Sequence, residues 1–108
     1  MDFSYPSEKF STARRNLMLP SPSHEAEDIA MAFHECHLGL LDVRPEDLDD
    51  NARLWVTVLK GLMDTTDTED PTGRGKWLIK AERLSADDKI ELVRVVDELA
   101  HWFARRSR

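Results

Sequence analysis

The stretch Ser85-Ala86-Asp87-Asp88-Lys89-Ile90-Glu91-Leu92-Val93-Arg94-Val95-Val96-Asp97-Glu98-Leu99-Ala100-His101-Trp102-Phe103-Ala104-Arg105 decides the fold. Ser85, with Asp88 three residues on, makes a capping-box-like start in which each side chain can satisfy a backbone N–H left over at a helix N-terminus. Leu92, Val93, Val95, Val96, Leu99, Ala100, Trp102 and Phe103 then recur at helical spacing. They cover about 180° of the circumference, wider than the ~100° stripe of a helix lying on a surface. The pattern predicts a helix over about 86–105 that touches two or more neighbours and forms the centre of an all-α bundle of four to five helices.

Working outward, residues 76–84 fit two periods. Trp77, Ala81 and Leu84 suit a helix, whereas Trp77, Ile79 and Ala81 alternate as in a strand. No partner strand is visible elsewhere, so a short helix is expected. The Thr- and Asp-rich run Asp64 to Gly75 contains Asp70-Pro71-Thr72-Gly73, a turn signal, and reads as the longest loop. Before it, Pro45 and the acidic run Glu46 to Asp50 open a helix extending to about 63, with Leu48, Ala52, Trp55, Leu59, Leu62 and Met63 on its apolar side. A helix over about 24–41 follows Ser23 as N-cap and carries Ala26, Ile29, Ala30, Phe33, Cys36, Leu40 and Leu41 on one arc, with His37 inside that arc and His34 at its edge. The short connection 42–45 predicts that these two helices form an antiparallel hairpin. A first helix over 6–18 presents Phe10, Ala13 and Leu17, and Pro20-Ser21-Pro22 breaks the chain after it.

Composition agrees with this class. Among 108 residues, 13 Leu and 9 Ala outnumber 6 Val and 3 Ile, a balance that favours helices over strands. The length suits one domain over 1–108 with a core that needs no disulfide or structural metal. No apolar run reaches the ~18–20 residues of a membrane span, and MDFSYPSEKF lacks the layout of a signal peptide, so a cytoplasmic protein off the membrane is expected. The lone Cys36 excludes an internal disulfide and any zinc site built on two thiolates. With 15 basic against 21 acidic residues the net charge is −6, which repels nucleic acid, and no basic DNA-binding module is present.

Several patterns approach chemistry without completing it. Glu25 to Asp28 and Glu46 to Asp49 both fall in first turns, where carboxylates complement the helix dipole, and in a hairpin they would lie roughly 20 Å apart, too far to share a magnesium ion. Glu98-x-x-His101 has the spacing of di-iron bundles but occurs once. An exposed Asp97–His101 pair accounts for it. His34 and His37, at i and i+3, are the only metal-ligand candidates; Cys36 lies 200° from His34 around the helix and cannot join them. His37 on the apolar arc reads as a core histidine, and Cys36 as an inert core thiol. Thr72 to Trp77 ends in Gly-Lys but lacks the first glycine and the Ser/Thr of a phosphate loop, and Asp64 to Gly75 lacks the glycine of a calcium loop. Arg105, Arg106 and Arg108 sit where cations complement a helix C-terminus.

What remains is Arg74, Lys76, Trp77, Lys80 and Arg83, a basic and aromatic cluster beside an acidic loop. Trp77 suits an anchor for a protein partner, with Arg74, Lys76 and Lys80 steering an acidic patch onto it; the plainer alternative has Trp77 closing one end of the core among solvated cations. The sequence is accordingly read as a small cytoplasmic interaction or regulatory protein, monomeric or homodimeric, acting through a surface on an unidentified protein partner without catalysis or cofactor. A small metal- or ligand-binding enzyme using His34 and His37 is one alternative. An acidic inhibitor presenting the 42–50 carboxylates to a basic or nucleic-acid-binding protein is another.

Overall fold

A computed structural model describes residues 2–18 and 23–107. Helix accounts for 75% of the structure, and no strand occurs among the described residues. Five α-helices follow in order: α1 (Ser4–Met18), α2 (Glu25–Leu40), α3 (Asp50–Met63), α4 (Lys76–Arg83) and α5 (Ala86–Arg106). The two-way reading of 76–84 thus resolves as helix. The proline break at Pro20-Ser21-Pro22 and the terminal Arg108 lie outside the described residues.

α5 begins and ends where its pattern places it. Ser85 Oγ accepts from the Asp88 N–H at 3.0 Å, and Asp88 Oδ2 accepts from the Ser85 N–H at 3.2 Å, a reciprocal capping box. Leu92, Val95, Val96, Leu99, Ala100, Trp102 and Phe103 are buried, while Val93 is exposed. The principal packed pairs are α1 with α2, α1 with α5, α3 with α5, and α2 with α4. The centre is therefore shared between α5 and α1, the latter more deeply placed than its narrow stripe implied. Phe3 and Phe10 from the start of the chain meet Phe103 with ring centroids 5.5 and 5.2 Å apart, and Phe3 meets Trp102 edge-on at 5.3 Å. Such aromatic pairs add about 0.5–1.5 kcal/mol each beyond burial.

Four local expectations are corrected. α1 starts at Ser4, two residues early: the Phe3 carbonyl accepts from the Ser7 N–H at 2.9 Å, and Pro6 sits inside the first turn where no N–H is needed. α2 is preceded by His24, not Ser23, and no side chain caps it. α3 starts at Asp50 rather than Pro45; Pro45–Asp47 is a 3-10 turn closed by Asp47 on the Arg44 N–H, after which Leu48 is extended and Asp49 caps α3 through the Ala52 N–H at 2.9 Å. α2 and α3 do not pack as the expected hairpin: α2's buried side goes to α1 while α3's goes to α5.

The fourth concerns the rotation of α2. Its buried residues are Ile29, Ala32, Phe33, Cys36 and Gly39, whereas Leu41 and His37 are exposed. The buried face is turned by something under one residue's 100° step from the arc of large apolar residues. Gly39 explains the turn: a Cβ there would come within 3.0 Å of the Lys9 side chain and 3.1 Å of the Phe10 ring, so α1 crosses α2 at its smallest residues. His37 is consequently not a core histidine.

Candidate interaction surface

The surface that collects the candidate residues is built on α4 and the loop before it. Asp70 accepts from the Arg74 and Gly75 N–H groups, both at 2.8 Å, folding the loop back on itself. Gly73 at φ +73° and Gly75 at φ +101° occupy backbone regions that favour glycine. These donors, the Gly75 N–H foremost, hold the Asp70 carboxyl below its ordinary range. Gly75 delivers the chain into α4, whose Ile79 and Ala81 are buried.

Trp77 emerges from this turn half-buried and packs across to α2. Its indole lies against both histidines, with centroids 6.1 Å from His34 and 5.5 Å from His37. The structure thus joins two sets of residues that the sequence presents as unrelated. Two grooves flank the indole. On one side His37, Leu40, Leu41, Lys60, Met63, Asp64 and Trp77 bound a space of about 660 Å³. On the other, Arg74, Lys76 and Trp77 share a groove of about 390 Å³ with Ala30, Thr65 and Leu78. The larger groove occupies the gap left where α2 and α3 diverge; Leu40 and Lys60 also border a smaller space of about 230 Å³ along Val43, Leu48 and Val56.

The cations differ in what they face. Arg74 pairs with Glu82 at 2.6 Å, and that carboxylate raises the guanidinium's pKa. Its charge is already matched. Lys80 is half-buried, does not border either groove, and its charge helps lower the Asp64 carboxyl, for which hydrogen bonds from Thr66 are the larger cause. Lys76 and Lys60 have no ion-pair partner among the described residues. Lys60 was not singled out in the sequence, where it is an ordinary last-turn cation of α3; only the divergence of α2 and α3 brings it beside Trp77.

Other candidates lie elsewhere. Cys36 is fully buried, and burial, with a smaller contribution from the Glu35 charge, pushes its thiol far above the ordinary range, so no thiolate nucleophile is offered. His101 is exposed, its Nδ1 lying 2.9 Å from the Asp97 carbonyl and 3.6 Å from the Asp97 carboxylate, which also takes Arg14 at 2.5 Å. Along the acidic edge, Asp47 and Asp49 serve as caps, Glu46 faces Arg44 at 3.9 Å and Asp50 faces Arg53 at 3.4 Å. Arg106 stacks 3.9 Å over the Trp102 ring and reaches Asp49 at 3.5 Å. No group of three or more His, Cys, Asp or Glu residues able to hold a metal is present among the described residues, and no described helix is long and apolar enough to cross a membrane. Compared with known proteins, the chain matches no protein-family model, no curated protein and no solved structure.

Proposed function

We propose that this chain is a small helical interaction protein of the cytoplasm that receives an acidic segment of a partner protein on the Trp77 face and catalyses nothing. The observation that carries this reading is the placement of Trp77: a half-buried indole bordering two grooves, with Lys76 beside one and Lys60 beside the other, neither of them ion-paired among the described residues. Aromatic side chains set in a well-packed recess are the usual anchors of protein interfaces, and neighbouring cations raise the rate at which an acidic surface is captured. Arg74, through its pair with Glu82, stiffens the rim, and Lys80 lies one turn along.

A photo-reactive amino acid at position 61, in the larger groove, tests this in cells of the source organism. Gly61 suits the purpose because a Cβ there meets nothing within 4 Å. A discrete adduct that is lost in Lys60→Glu/Lys76→Glu, while the melting temperature holds, is the expected result. Cross-linking no greater than from the exposed position 87 on α5 overturns the reading. Trp77→Phe, which keeps an aromatic ring, should weaken capture with less loss of stability than Trp77→Ala.

A further inference from the structure

We propose that His34 and His37 make the Trp77 face responsive to pH, so that an acidic segment is held more tightly as the two imidazoles take up protons. The inference rests on the docking role just described and adds a mode of regulation to it. Both imidazoles are exposed, both lie against the indole of Trp77, and His37 borders the same groove as Lys60. Imidazole ordinarily titrates near pH 6.5, whereas carboxylates, ammonium and guanidinium groups ordinarily keep their charge between about pH 5.5 and 7.5. Of the residue types on this face, imidazole is the one that ordinarily changes charge in that window.

The charges around the two rings set the sign. From α4 and the loop before it come Lys76, Lys80, Asp64 and the Arg74–Glu82 pair. From α3 comes Lys60. On α2 itself Glu27 lies near Arg74, and Glu35 is turned towards α1, where it meets Lys9 at 3.4 Å. Three carboxylates, Glu82, Asp70 and Glu27, share Arg74, whereas Lys60 and Lys76 have no ion-pair partner among the described residues, and a proton added to either imidazole adds positive charge beside those two lysines. Carboxylates arriving at the groove gain attraction from it. By linkage, a bound acidic segment must raise the proton affinity of the same imidazoles.

The probe is an aspartate-rich peptide with a central leucine and blocked ends, titrated into the full chain at about pH 7.5 and 5.8 at low salt. Affinity is expected to rise roughly threefold to tenfold at the lower pH, the size set by one or two added unit charges at close range in water. In His34→Gln/His37→Gln the ratio of affinities at the two pH values should fall to about one, whatever the affinity itself, with melting temperatures checked to show that α4 remains docked. Independently of any variant, proton NMR should show the His34 and His37 midpoints moving up when peptide is present while that of His101, on α5, stays put. Equal affinity at the two pH values, or a response that survives in the double variant, overturns the switch and leaves the docking role standing. A peptide that binds at neither pH overturns the switch and the acidic character of the partner together, and the cross-linking at position 61 then decides whether the face has an occupant at all.

Discussion

Asp49 serves three purposes with one carboxylate. It caps α3 through the Ala52 N–H, accepts the Trp102 indole N–H at 2.9 Å, and lies 3.5 Å from Arg106, so it ties the start of α3 to the last turns of α5. These bonds, the Ala52 N–H first, hold its carboxyl below the ordinary range. A carboxyl whose folded value is depressed contributes stability that is complete above the unfolded value near 3.9 and is lost as pH falls through the lower folded value. Melting temperature should therefore drop on acidification below about pH 4, and Asp49→Asn should both lower the neutral melting temperature and flatten part of that decline. The glycines give a matched pair at the same scale. Gly39→Ala gains up to about 1 kcal/mol of helix propensity but forces a contact onto Lys9 and Phe10, and overpacking of this kind costs about 1–3 kcal/mol, so a net loss on denaturant unfolding is expected. Gly61→Ala meets nothing and should stabilise. If both changes stabilise, the close crossing of α1 and α2 is wrong.

At the scale of the helix, α5 and α4 are opposites. α5 carries a full capping box and packs on two neighbours, and Ser85→Ala should cost about 1 kcal/mol of unfolding free energy. α4 has eight residues, no side-chain cap, and α2 as its only principal neighbour. Amide exchange should accordingly release α4 and the loop before it at a lower free energy than the middle of α5, and equal protection in both would contradict this packing. The contrast follows what could be read beforehand. α5 was legible to within a residue because its cap and its wide apolar arc agree. α2 was legible as a helix but not in its rotation: weighting Leu41 and His37 above Ala32 and Gly39 ignores that two helices approach closest where side chains are smallest. The hairpin of α2 and α3 failed because loop length favours neighbours only when no better face competes, and here α1 and α5 took the faces first. Trp77 and the two histidines were each visible in the sequence, yet their meeting depends on that rotation of α2, which no local spacing encodes.

For the molecule as a whole, the core is one continuous cluster in which Phe3, Phe10 and Phe103 join residues from opposite parts of the chain. The Cα radius of gyration of 13.6 Å is close to the ~13 Å of a folded chain of this length. Phe103 is fully buried at the meeting point, so Phe103→Ala should cost about 3–5 kcal/mol, a large part of the roughly 5–15 kcal/mol that holds a domain together. Circular dichroism of the parent should show helix without sheet; of the variant, a lower melting midpoint. Removing residues 2–10 should do comparable harm, because it empties the same cluster from the other side.

That closure between distant parts has a bearing on how the protein is made. α1 is made ahead of α5, so Phe3 and Phe10 stay uncovered while the roughly ninety residues leading to Phe103 are translated, on the order of 5–20 s at ordinary rates of synthesis. Until then α2 can shelter one side of α1 and nothing shelters the other. During that interval the nascent chain presents a sticky helical pair whose facing strip of core has yet to be made, and slowing translation between α3 and α5 should raise the fraction lost to aggregation without altering the finished fold.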